Sequence, residues 1–205
     1  MSGKKERALD LYLLLAAVTG GTDHSATDWS TTWARCVDLH DEKTGGSAVS
    51  RAWKTLRDLR LIATERGAER KTKVTKLLED GTGSPYIPPG SGDRYFQLPF
   101  EYWENELHNR LTLPGKAMLL ISLSLRKEEF ALVQKKIHDW YGLSTQTIGN
   151  GVQELRDHDV LEHVGEEWYD TLHTKSGRGV RPLYSLIQPY HHRGLTPADK
   201  TPAAQ

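Results

Sequence analysis

A three-residue motif occurs twice in this chain, 99 residues apart and inside the same apolar frame. Leu56-Arg57-Asp58 is answered by Leu155-Arg156-Asp157, and Leu61-Ile62 by Val160-Leu161. Upstream, Val49 and Trp53 match Ile148 and Val152, so the apolar stripe keeps its register along with the motif. Apolar residues three and four apart share one face of a helix. A repeated helix that runs into a short apolar strand implies two similar domains in tandem. The 205 residues accommodate two domains of about 100 each, a size that buries a modest core without metal or disulfide.

The first copy carries a concentration of charge that the whole chain lacks. Residues 43–76 hold ten Lys or Arg against three Asp or Glu, a balance of +7 in a chain whose total is zero. Val49, Trp53, Leu56 and Leu59 form the predicted buried stripe of the helix, with Ser47 as its N-cap after the Gly45-Gly46 break. Ser50, Arg51 and Lys54 fall away from that stripe, toward solvent. Leu61-Ile62-Ala63 enters a strand, Arg66-Gly67 turns it back, and Arg70, Lys71 and Lys73 make the return arm basic. A basic helix followed by a basic hairpin suits a nucleic-acid backbone.

In chain order, residues 6–19 predict an apolar spine helix stopped by Gly20-Gly21. A second helix carries Trp33, Val37 and Leu39, capped by Asp28 or Ser30. Residues 79–94, with four Gly and three Pro, predict an exposed, mobile loop. Arg94 to Leu98 alternates and predicts the strand that closes the first sheet. Phe100, Tyr102, Trp103 and Leu107 predict a short packed helix over 100–112. The second spine helix follows Thr112, with Pro114 in its first turn. Leu132, Val133, Ile137, Trp140 and Tyr141 are expected on one buried face of the next helix. Gly142-Leu143 makes a tight turn, and Ser144 or Thr145 caps the third helix.

That third helix differs from its counterpart. Its N-terminal half offers Thr145, Thr147, Asn150 and Gln153, neutral side chains suited to hydrogen bonds with base edges. Its far flank is acidic: Glu154, Asp157, Asp159, Glu162, Glu166, Glu167 and Asp170 face only Arg156. Acid that dense repels phosphate, so the flank is expected to meet solvent or a protein. Lys175, Arg178 and Arg181, together with His173, return positive charge to the following hairpin. Leu183 to Ile187 predicts the return strand, and residues 191–205 a disordered tail.

This order of elements, with each third helix leaving through an apolar exit into a basic hairpin, resembles the winged helix-turn-helix superfamily of DNA-binding proteins. The resemblance implies a mainly α chain with small β wings, in α+β class, divided into winged helix domains over 1–98 and 99–190. It places base and backbone contacts on Ser47, Ser50, Arg51 and Lys54, with Arg66, Arg70, Lys71 and Lys73 in the first wing. In the second copy they fall on Thr145, Thr147, Asn150 and Gln153, with Lys175, Arg178 and Arg181. The expected partner is double-stranded DNA, bound sequence-specifically by a transcriptional regulator. Tandem winged helices also resemble plasmid or phage replication initiators that bind repeated sites. A third reading is a scaffold that meets a protein, or a second copy, through the acidic flank of the second domain.

Other chemistry finds little purchase. No Gly-x-Ser-x-Gly elbow, His-Glu-x-x-His, Cys-x-x-Cys or phosphate-binding Gly-Lys-Ser/Thr loop is present. The nine histidines are scattered, with His158 and His163 around one helix end, so neither an enzyme nor a cofactor or metal is expected. Cys36 stands alone and cannot form an internal disulfide. The longest apolar run, Leu11 to Val18, is eight residues and too short for a bilayer. A cytoplasmic, nucleoid-associated protein is the expectation.

Overall fold

The structure is a computed structural model, which describes residues 2–19, 23–39, 44–90, 92–93, 95–172, 175 and 177–191. The chain divides into two compact units, Met1–Asp93 and Arg94–Gln205. Each is a mixture of helices and one small antiparallel sheet.

In the first unit, α1 (Ser2–Val18) is followed by β1 (Ser25–Asp28), α2 (Ser30–Cys36), α3 (Gly45–Asp58), β2 (Ile62–Arg66) and β3 (Thr72–Lys76). The core is assembled from Ala8, Leu11 and Leu15 of α1, Trp33 of α2, and Val49, Trp53 and Leu56 of α3. Trp33 and Trp53 meet edge to face, 5.4 Å between ring centroids at 88°, an arrangement that favours the aromatic quadrupoles. Ile62 and Val74 close the core from the sheet.

Leu59 does not belong to the stripe: it caps α3 and is 56% exposed. The helix has ended by then, and its surface register no longer applies. Ser47 is not the N-cap either. Gly45 and Gly46 already lie inside α3, and the Ser47 hydroxyl donates to the Thr44 carbonyl at 2.9 Å. α2 has Trp29 as its N-cap with no side-chain cap bond, because Asp28 lies in β1.

The strand order is β1-β3-β2, all antiparallel, so the third strand is Ser25–Asp28 and comes before α2. The strand expected from Arg94 to Leu98 is absent from the described part, residues 95–98. Backbone pairing to Thr72–Thr75 is supplied by β1, a polar segment whose sequence has no apolar alternation to betray it. The 79–94 loop is tied to the sheet by a Leu77–Pro85 bridge and by Tyr86, whose ring lies 3.7 Å below the Lys76 ammonium. The stop at Gly20-Gly21 and the chain beyond His191 lie outside the described residues.

The second unit runs α4 (Glu101–Glu104), α5 (Leu107–Arg110), α6 (Leu113–Ser124), β4 (Glu129–Ala131), α7 (Gln134–Tyr141), α8 (Thr145–Asp157), β5 (Leu161–Asp170) and β6 (Arg178–Leu186). Its sheet has the order β4-β6-β5, the counterpart of the first. Met118, Leu119 and Leu123 of α6 pack with Ile148 and Leu155 of α8, all essentially buried. Tyr102 and Leu107 are buried, whereas Phe100 is 65% exposed. Of the face expected on α7, only Ile137 within the helix is buried, and Trp140 and Tyr141 stand 67% and 48% exposed. α7 has just eight residues, so its last turn projects beyond the core.

The 99-residue echo is present in the backbone. Arg60 and Asp159, the corresponding residues, both take the left-handed conformation, with φ of 58° and 55°. Around them the amide of Leu61 donates to the Leu56 carbonyl, and that of Val160 to Leu155, each at 2.8–3.0 Å. Both bonds satisfy carbonyls that a helix end would otherwise leave bare.

Candidate nucleic-acid interface

α3 presents the cations because its other face is committed to the core. Ser50, Arg51, Lys54 and Arg57 are exposed, while Ala48, Val49, Ala52, Trp53 and Leu56 are buried. Lys54 pairs with Asp58 at 2.8 Å across one helical turn, with both side chains about two-thirds exposed. Such a pair contributes roughly 0.3–0.5 kcal/mol and is readily exchanged for a phosphate. Ser50 donates its hydroxyl to the Gly46 carbonyl at 2.9 Å. Arg51, Arg66 and Arg70 have no ion-pair partner among the described residues.

The hairpin does not act as one basic surface. Residues directly opposite across a ladder share a face, and faces alternate along each strand. Thr64 lies opposite the buried Val74, and Arg66 opposite Thr72, so both occupy the face that meets the helices. Arg57 reaches from α3 to this face, its guanidinium donating to the Thr64 hydroxyl at 2.7 Å. Lys73 lies opposite Glu65 and Thr27 on the other face, with its ammonium 3.2 Å from Asp23. The Ser25 hydroxyl and then Lys73 hold the Asp23 carboxyl below the usual carboxylate range.

The turn has its own anchor. Trp29 donates its indole N–H to the Glu69 carbonyl at 3.1 Å, and Lys71 sits 4.2 Å over the Trp29 ring and 3.0 Å from the Glu69 carboxylate. Lys71 is thus only half available, and Lys76 is buried against Glu79 at 2.8 Å. Exposed cations on the α3 side include Arg51, Arg66, the Asp58-paired Lys54 and the Thr64-bonded Arg57, with Arg70 at the turn.

In the second unit Ser144 caps α8, accepting from the Thr147 amide at 3.1 Å, and Gly142 supplies the turn at φ 68°. Thr145, Asn150 and Gln153 are exposed and Thr147 is half-buried. Several are already engaged within the helix. Gln146 donates to Asn150 at 2.7 Å, Gln153 donates to Asp157 at 2.7 Å, and the Thr147 and Ser144 hydroxyls lie 2.8 Å apart. Lys175 and Arg178 are exposed near the tip of the hairpin, and His173 lies outside the described residues. Arg181 donates from Nε to Glu167 at 2.7 Å and stacks 5.2 Å from Tyr169. That hydrogen bond holds the Glu167 carboxyl below its ordinary range.

Most of the acidic flank is exposed, as Asp157, Asp159, Glu162, Glu166 and Asp170 are, but Glu154 is turned inward. Glu154 accepts from the Thr112 amide and hydroxyl, both at 2.7 Å, and from the Gly115 amide at 3.1 Å. It therefore caps the N-terminus of α6, where a negative charge meets unpaired N–H groups and the positive end of the helix dipole. Sequence reading missed this role because 42 residues separate Glu154 from Thr112. Arg110 donates to His158 Nδ1 at 2.9 Å, a further contact no local pattern announces.

Among the described residues no group of three His, Cys, Asp or Glu is placed to hold a metal, and no helix is long and apolar enough to cross a membrane. Comparison of the chain with protein-family models, curated proteins and solved structures found no match.

Proposed function

We propose that both units are winged helix domains and that the chain binds double-stranded DNA sequence-specifically. The observation that carries this reading is α3 of the first unit. Its outer face presents Ser50, Arg51, Lys54 and Arg57 beside Arg66 on the adjoining face of the hairpin. The order helix, strand, helix, helix, strand, strand, with the last strand central in each sheet, supports it in both units. A helix of this width enters the major groove while the adjoining hairpin lies along phosphates. α3 supplies affinity through cations, and α8, neutral at its exposed start, supplies discrimination through Asn150 and Gln153.

Regulation of transcription is the use we favour, with initiation of plasmid or phage replication as the other. The array of bound sites separates them: one operator beside a promoter for the first, short direct repeats for the second. No homodimer or protein contact through the acidic flank is part of the proposal.

The test starts with duplexes selected from a random pool and measures affinity against salt concentration. Replacing Arg51 or Arg66 by alanine should lessen the slope of log affinity on log salt by about 1 each. Lys73→Ala, on the opposite face, should change it far less. Unchanged slopes for Arg51→Ala and Arg66→Ala would remove α3 from the DNA.

A further inference from the structure

A cleft of about 450 Å³ lies within the second unit between α6, α7, β4 and the hairpin, away from every residue assigned to base contact on α8. Its walls are apolar, with Ile121, Leu125, Val133 and Leu183 among them. Trp140 and Tyr141 stand at its edge and are among the more exposed aromatic side chains of the unit. Small-molecule sites have volumes of roughly 300–1,000 Å³ and combine apolar walls with a few convergent polar groups.

The polar groups here have a sign. Lys127, Lys136 and Arg181 line the cleft against Glu129 and Glu167. Glu167 is already taken, since it accepts from Arg181 Nε. That bond and the Tyr169 ring hold the guanidinium while leaving both terminal NH₂ groups without a hydrogen-bond partner among the described residues. A planar guanidinium held in place by its Nε is prepared to receive a carboxylate at its other edge. Lys136 adds charge beside Trp140, with its ammonium 5.9 Å from the ring.

The geometry points to this cleft as the binding site of a small apolar carboxylate, its hydrocarbon body among the walls and its anionic head on Arg181 and the two lysines. A neutral body of the same shape loses the charged contacts. A cation meets three like charges against two carboxylates, one of which is already bound to Arg181. The inference goes beyond DNA binding and does not rest on it, since no DNA-facing residue lines the cleft except Arg181 of the hairpin.

Calorimetric titration of the full chain with decanoate, decanol and decylammonium, each below its micellar range, tests it. Decanoate should saturate one site per chain and bind about tenfold or more tightly than either analogue. The double variant Lys127→Glu/Lys136→Glu changes two side chains on exposed surface and should weaken decanoate by about tenfold while thermal unfolding stays put. Arg181→Gln should do the same, and Lys127→Arg/Lys136→Arg should restore parental affinity. Equal binding of decanol and decanoate would overturn the proposal, as would a parental response in the Glu variant or an unsaturable heat. So would an amphipathic helical peptide rich in Leu and Glu that binds in a Lys136-dependent way where decanoate does not, which would assign the cleft to a protein partner. DNA binding enters none of these readings, so the two proposals fail separately.

Discussion

α3 and α8 end alike and differ at the residue just before their shared Leu-Arg-Asp. Each exits through a left-handed residue, Arg60 or Asp159, into an apolar strand. At the position three residues before Asp58, α3 has Thr55, whose hydroxyl donates to the Arg51 carbonyl at 3.1 Å within the same helix. The corresponding Glu154 of α8 reaches out of its helix and caps α6. Ala52 likewise corresponds to Gly151, where a Cβ would collide with the Pro114 carbonyl and Met118. The second unit thus draws its third helix tightly onto its spine, through a glycine and a carboxylate. The first packs through bulk, with Trp53 against Trp33. Identical exits with different seats leave α3 free to vary its outer face toward charge, while α8 uses an acidic residue for its own assembly.

The largest effects should strike what the units share. Leu56→Ala and Leu155→Ala each open a cavity in a buried stripe and should cost about 2–5 kcal/mol in denaturant unfolding. A much smaller loss at either position would show that the two stripes are not equivalent. Next come the features that differ. Gly151→Ala forces a methyl onto backbone and should destabilise by about 1–3 kcal/mol. Glu154→Ala leaves the first amides of α6 uncapped and should cost about 0.5–2 kcal/mol, whereas Thr55→Ala in the first unit should stay within about 0.5 kcal/mol. Equal losses at Glu154 and Thr55 would break the contrast between the seats.

A smaller effect has the opposite sign. Gly149 has nothing within 4 Å of an added Cβ and sits in the interior of α8, so Gly149→Ala should stabilise by about 0.5–1 kcal/mol. Destabilisation there would mean that this face of α8 is covered. The smallest signal is spectroscopic. Burial, with the nearby Glu79 carboxylate, pushes the Tyr12 phenol far above its ordinary value. A raised pKa favours the protonated form in the folded state, so its stabilisation is intact below about pH 10 and declines once the unfolded phenol can ionise above that. Absorbance titration near pH 11 should show one tyrosine still protonated, and Tyr12→Phe should remove only that late component.

Much of this architecture is legible in short range. The stripe of Val49, Trp53 and Leu56 needs only the 3.6-residue period, and the Gly142 turn with Ser144 as cap needs only local backbone preference. The exits of both helices were marked by Leu-Arg-Asp and the apolar pair after it, because a helix end and a strand start are set by neighbours within a turn. Charge placement on α3 followed for the same reason: once the apolar face is fixed, Ser50, Arg51 and Lys54 have nowhere else to point.

Pairing across the chain was decided only in three dimensions. β1 and β4, of four and three residues, carry no alternation of their own and exist because β3 and β6 offer open ladders to them. The hairpin that looked uniformly basic is split by the strand pleat, with Arg66 toward α3 and Lys73 away from it. Trp140 and Tyr141 matched a buried face by spacing, yet the core ends before they reach it. Glu154 read as repulsive surface and proved to be a cap, since a carboxylate's role depends on which amides stand opposite it. Sequence by itself determined the buried stripes of α3 and α8 and their exits into a strand, through local sterics and apolar periodicity. Tertiary structure alone decided which strands pair and which charges are already satisfied, because those energies depend on partners tens of residues away.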